Sequence, residues 1–184
     1  MRLQSIKKLI MFVLIAIAFL SCSNGPTLQT YFVDNELKAG FTTFDVPASL
    51  VGEEIEKAKL TDQQKRAYKS VNKLNVLAFK TDDSNQDTYK TELEKVKLIL
   101  KDTKYEELIR GGNSTDGKFV VKFLGDIENI DELIVMGNAN NKGFMVARIL
   151  GDDMNATDLM SLGNVLQNLK IDNSQLNDLT SFFK

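Results

Sequence analysis

FVVKFLG at 119–125, ELIVMG at 132–137 and GFMVARILG at 143–151 are three short apolar runs separated by polar or Gly/Asn-bearing connections. Runs of this length, rich in Val, Ile, Phe and Leu and bounded by Gly, Asn and Asp, predict strands. The connections are too short for a parallel crossover, so residues 119–150 are expected to form an antiparallel three-strand meander.

Working outward, LNVLAF at 74–79 has strand composition and is expected to join the same sheet. Polar residues 81–88 read as a loop, after which Tyr89, Leu93, Val96 and Leu100 recur at helical spacing. Residues 105–110 alternate, and read equally as a strand or a frayed helix end. Upstream, Pro47 suits a helix first turn, followed by an apolar stripe at Leu50, Val51, Ile55 and Ala58. Thr61 and Gln64 form a capping box opening a second helix that carries Ala67, Tyr68 and Val71. Downstream, Asn155 caps a helix with Ala156, Leu159, Met160, Leu162, Leu166 and Leu169, and a last amphipathic turn holds Leu176, Leu179, Phe182 and Phe183. The expected fold is α+β, an antiparallel sheet of four or five strands with helices packed on it.

Alternate residues of a strand share a face, so Phe119, Val121 and Phe123 lie opposite Val120, Lys122 and Leu124. In the third run Met145, Ala147 and Ile149 oppose Phe144, Val146 and Arg148. Lys122 and Arg148 assign their face to solvent, yet Val120, Leu124, Phe144 and Val146 go with them. That face is expected either to be covered by the 22–43 segment, the 47–72 helices or the Phe182-Phe183 tail, or to receive a partner.

The chain has 184 residues, a hydrophobic fraction of 43% and a charged fraction of 26%, which suits one globular domain. Three of its 23 basic residues (Arg2, Lys7 and Lys8) and none of its 25 acidic ones lie within 1–21, so the rest carries a net −5. That argues against nucleic acid or an anionic lipid surface as the main partner. There is no histidine, which removes the usual neutral-pH proton shuttle and the commonest metal ligand.

Basic MRLQSIKK at 1–8 precedes LIMFVLIAIAFL at 9–20, then Ser21 and Cys22, the only cysteine. This is the layout of a secretory signal peptide, and the apolar run is short of the roughly 20 residues a spanning helix needs. Ser21-Cys22 resembles a bacterial lipobox, with Phe19 where Leu is usual. Cleavage between Ser21 and Cys22 and acylation of Cys22 are therefore expected, with stable attachment to the membrane. Ser23 after Cys22, and no acidic cluster in SNGPT at 23–27, resemble the pattern of outer-membrane lipoproteins facing the periplasm. The expected organisation is a signal peptide at 1–21, an acylated Cys and tether at 22–43, and one α+β domain at 44–184.

FDVPASLV (44–51), KLNVLAFK (73–80), KVKLILKDTKYEELI (95–109), KFLGDIENIDELIVMGN (122–138) and GFMVARILGDDMN (143–155) resemble successive blocks of one small lipoprotein family. That family is found mainly in Bacteroidota and is known only as a domain of unknown function, number forty-two fifty-two. The resemblance covers roughly residues 28–169 and implies an envelope lipoprotein, with no activity or ligand to carry over.

Candidate chemistry is thin. Asp83, Asn85, Asp87 and Glu94 occupy positions one, three, five and twelve of an EF-hand loop, but Thr88 stands where the loop needs Gly. The expectation is a polar loop with Asp87 capping the next helix, and no bound metal. Asp152-Asp153 reads as a strand end and turn rather than an acid–base pair. Asp126, Glu128, Asp131 and Glu132 read as a solvated connection, and the Gly111–Gly117 stretch as a flexible turn lacking the G-K-[ST] of a phosphate loop. The sequons Asn113-Ser114-Thr115 and Asn155-Ala156-Thr157 carry no expected modification, and no serine sits in a G-x-S-x-G elbow. Neither catalytic residues nor a cofactor are expected. The reading is a non-enzymatic binding or scaffolding module of the cell envelope that contacts another envelope protein. Its alternatives are a regulatory module sensing envelope state and a carboxylate- or metal-dependent enzyme.

Overall fold

The computed structural model describes residues 25–113, 115–139 and 142–166. Within them the chain forms α1 (Leu28–Asn35), β1 (Phe41–Pro47), a 3-10 turn (Ala48–Val51), α2 (Gly52–Lys57), α3 (Asp62–Ser70), β2 (Val71–Lys80) and α4 (Gln86–Ile99). It continues through β3 (Glu106–Asn113), β4 (Gly117–Asp126), β5 (Asn129–Ala139), β6 (Gly143–Met154) and α5 (Ala156–Leu166). Cys22, Leu169, Leu176, Leu179, Phe182 and Phe183 lie outside the described residues.

All six strands belong to one antiparallel sheet of order β1-β2-β6-β5-β4-β3. The meander expected over 119–150 is β4-β5-β6, with Val121 opposite Val135 and Val135 opposite Ala147. LNVLAF lies within β2, which pairs with β6 (Leu77 opposite Val146). Gly143 opens β6 at φ +125°, with the Phe79 carbonyl oxygen 1.8 Å from where a Cβ would sit. Only glycine fits there.

The fold class is therefore α+β, but the expected four or five strands are corrected to six. The sixth is β1, whose Phe41 faces one side of the sheet while Phe44 and Val46 face the other. Phe41 packs against the α1–α4 core while Val46 lines the groove on the other face, so a clean alternation never appears. Pro47, expected in a helix, instead closes this edge strand, where its missing N–H breaks no ladder. The undecided 105–110 segment is β3, the opposite edge, with charges and two glycines as edge strands carry.

A second correction concerns the segment read as tether. Residues 28–35 form α1, capped by Thr27, whose Oγ1 accepts from the Thr30 N–H at 3.1 Å while Thr30 Oγ1 accepts from the Thr27 N–H. Threonine at the third position replaces the usual Glu or Gln, which hid the box. Leu28, Tyr31, Phe32 and Asn35 are buried at helical spacing. Eight residues cannot hold a helix alone, so α1 exists because the sheet takes this face. The Thr61–Gln64 box is present at α3, and Asn155 Oδ1 accepts from the Thr157 and Asp158 N–H groups at the start of α5.

α1 and α4 cover one face, where Leu28, Tyr31, Phe32, Leu93 and Val96 pack with Leu77, Phe79, Ile134, Phe144 and Val146. α2, α3 and α5 lie on the other, around Ile55, Ala67, Phe123, Ile130, Met154 and Leu159.

Tyr31 ties α1 to α4 by donating to Glu92 Oε2 at 2.9 Å, and Lys95 donates to Oε1 of the same carboxylate at 2.7 Å. Burial first, then the Glu92 hydrogen bond and charge, hold the Tyr31 hydroxyl well above the ordinary tyrosine range. An unfolded tyrosine releases its proton near pH 10 and the folded one does not. Stability from this group is thus complete below about pH 10 and falls above it, by about 1.4 kcal/mol per pH unit. Urea midpoints of wild type and Tyr31→Phe, measured across the alkaline limb, are expected to show a shallower fall in the variant. Parallel limbs would refute the linkage.

Candidate functional site

The residues nominated as a partner-contact face do not form one open surface. Phe144 and Val146 are 2% and 0% exposed, locked under α1 and α4. Val120 and Leu124 pack partly against the same core. Of the two alternatives expected for this face, Phe144 and Val146 meet the covered one, with α1 from the 22–43 segment and α4 over them, and are not available as partner-contact residues. The misleading residue was Arg148, taken as a solvent marker. Its Nε donates to Glu132 Oε1 at 2.6 Å, its Nη2 to Oε2 at 3.1 Å and its Nη1 to Gln29 Oε1 at 2.5 Å. Its guanidinium lies 5.1 Å from the Phe32 ring centroid, and Arg148 and Glu132 are both buried. Glu132, read as part of a solvated connection, is thus a core residue of β5, whose carboxylate lets the charge go inside.

The open apolar surface is on the opposite face. Val46, Leu74, Ile149, Leu133, Val135, Val121, Leu108 and Ile109 floor a groove of about 680 Å³ that crosses the whole sheet. One wall is the Pro47–Ala48 turn with Val51, Tyr68 and Val71, and the other is α5 through Leu159, Met160 and Leu162. Among the described residues of the lining Tyr68 brings the only polar side chain, and its hydroxyl is already donated to the Ala48 carbonyl at 2.9 Å. Among the described residues this lining carries no carboxylate, amine or thiol, only apolar surface whose contact with water is unfavourable. Val121 and Ile149 had been assigned a face by alternation. That the described helices would leave a groove on this face was not readable, because it depends on which helices fold back over it.

The other nominated residues disperse. Asn85 turns back toward β2: its Oδ1 accepts from the Asp82 N–H and Thr81 Oγ1, and its Nδ2 donates to the Lys80 carbonyl. Asp87 does not cap α4. It lies in the first turn and pairs with Lys90, while Asn85 occupies the cap position without a side-chain bond to the helix's own N–H groups. Glu94 pairs with Lys97, whose hydrogen bond and charge hold it below the usual carboxylate range. Among the described residues no three Asp, Glu, Cys or His gather where they could hold a metal ion. Asp152 accepts from Asn72 Nδ2 at 2.7 Å, and Asp153 turns the chain at φ +53°. Gly111–Asn113 belong to β3, and Asn113 Oδ1 accepts from the Thr115 and Asp116 N–H groups in the turn to β4.

Among the described residues the fold is a six-stranded antiparallel sheet with helices on both faces and an apolar groove on one. The chain belongs to the family described as Domain of unknown function (DUF4252), which matches residues 36–162. No curated protein and no solved structure matches it.

Proposed function

We propose that this protein is a lipoprotein of the bacterial outer membrane, anchored through acylated Cys22, facing the periplasm and working without catalysis. Its folded domain binds an apolar segment of another envelope protein. The observation that carries this reading is the groove, an apolar channel with no free polar side chain in its lining among the described residues. Val121 and Ile149, not Phe144 and Val146, stand at its centre. The leader that ends at Ser21-Cys22 supports the anchor, and a folded α1 starting at Leu28 leaves five residues, 23–27, between Cys22 and the domain.

The anchor is tested by radiolabelled palmitate, which should enter the wild type and not Cys22→Ser; equal labelling of both refutes it. For the groove, a benzophenone side chain placed at the half-exposed Ile109 of the membrane-bound chain is expected to crosslink an envelope protein on illumination. Val121→Asp should reduce that adduct several-fold while melting within a few degrees of wild type. Adducts only within the chain would show the groove to be self-covered and end the docking reading.

A further inference from the structure

A second cavity, of about 510 Å³, opens on the α1–α4 side of the sheet, beyond the last turn of α4 and above the β3–β4 edge. Its rim carries Lys97, Lys101, Arg110, Lys118 and Lys122, against the single carboxylate of Glu107. We infer that this cavity is a binding site for a phosphate group carried on a larger body.

The argument starts from how the charges are used. Glu107 is engaged by Arg110 through both Nε and Nη2, and its charge also acts on Lys122, its cross-strand partner, so one carboxylate is shared between two of the five cations. Lys97 is paired with Glu94 outside the cavity lining, and Lys122 Nζ is fixed by the Tyr105 carbonyl at 2.6 Å. The side-chain ammonium groups of Lys101 and Lys118 make no ion pair or hydrogen bond among the described residues, and Glu94 acts on Lys101 only through its charge. Five cations therefore converge on one concavity in a chain whose charge beyond residue 21 is −5.

Like charges gathered in a cleft repel one another and raise the local concentration of anions. Complementing the α4 dipole accounts for Lys97 and Lys101 at that helix's end. It does not account for Arg110, Lys118 and Lys122, which arrive from β3 and β4. The floor is Leu100, Val120 and Met136, of which Leu100 and Met136 are buried. An apolar floor beneath a cationic rim weakens solvent screening and can receive the uncharged part of a ligand. Phosphate suits the site better than a lone carboxylate, because it offers several oxygens and up to two charges to lysines approaching from different elements. The volume exceeds what inorganic phosphate fills, so the larger body is expected. A lipid headgroup and a soluble phosphorylated compound present the same chemistry.

The site is independent of the groove and of Cys22, and is tested on the full-length chain in phosphatidylcholine bicelles. One arm adds inorganic phosphate, and the other replaces part of the lipid with phosphatidylglycerol. The readout is the rate of acetylation of each lysine, followed by mass spectrometry. Lys97, Lys101 and Lys118 are expected to be protected several-fold while exposed Lys59 is not. Protection by phosphate alone assigns a soluble ligand, by phosphatidylglycerol alone a headgroup, and by both the phosphate group itself. Protection in neither arm overturns the inference. Lys101→Glu/Lys118→Glu, both at exposed positions, should abolish protection of Lys97 while keeping the wild-type melting temperature, and Lys118→Gln should weaken it. Unchanged protection of Lys97 in either folded variant also overturns it.

Discussion

Replacing Arg148 by leucine is expected to cost the fold about 3–5 kcal/mol, a drop in melting temperature on the order of 10 °C. The cause is what remains behind. Glu132 lies within 8% side-chain exposure beside Arg148, and once the guanidinium is gone its carboxylate has no partner in that core. Desolvation of a lone charge is the larger part of the effect, and the lost Gln29 and Phe32 contacts, which hold α1 against β6, add to it. Glu132→Leu is expected to be equally damaging from the other side, since it strands the cation. The pair Glu132→Leu/Arg148→Leu tests the mechanism, because replacing both partners with apolar groups removes the stranded charge. It should lie within about 1–2 kcal/mol of wild type, giving a coupling energy of several kcal/mol in a double-mutant cycle. Arg148→Lys should behave as a disruptive change, because an ammonium cannot bridge both Glu132 oxygens and Gln29 together. Urea unfolding of wild type and the four variants decides the matter. Single variants within about 1 kcal/mol of wild type would mean that water reaches the pair.

The second large effect is expected at Val146. This side chain is fully buried, paired across the sheet with Leu77 on one side and Met136 on the other, with α1 and α4 above it. Val146→Glu puts an unpaired carboxylate where no cation is free to meet it, and about 3–5 kcal/mol should be lost. Val120→Glu provides the contrast. Val120 shares this face and pairs with Met136, yet it is only half-buried and floors the cationic cavity. A carboxylate there stays near water and near Lys118 and Lys122, so the expected change is within about 1 kcal/mol. Thermal melts of the two variants separate covered from open surface on one strand face. If Val146→Glu melts with wild type, α1 and α4 do not seal the sheet as described.

What could be read from the sequence was local. Three apolar runs with Gly and Asn between them are enough for an antiparallel meander, since so short a connection permits nothing else. The Thr61–Gln64 box, the Tyr89–Leu100 stripe and the Asn155 cap each rest on residues three or four positions apart, and each marks a helix that is present. The family followed from ordered blocks of residues in the same way. Elements that depend on distant partners were not legible. α1 carries a buried stripe at Leu28, Tyr31, Phe32 and Asn35, but so short a helix has no stability until β6 and α4 supply a surface. β1 sends Phe41 to the α1–α4 core and Val46 to the groove on the other face, and so breaks the alternation that identifies a strand.

The sites were further out of reach. Arg148 looked like a mark of solvent because a charge is costly to bury, and only the pairing of β5 with β6 brings Glu132 close enough to reverse that cost. A net charge of −5 spoke against nucleic acid or an anionic lipid surface as the main partner, whereas folding gathers Lys97, Lys101, Arg110, Lys118 and Lys122 onto one rim. Alternation sorts residues into two faces without saying which face a helix will cover. That choice belongs to tertiary structure, because it is made by the packing of segments far apart in the chain.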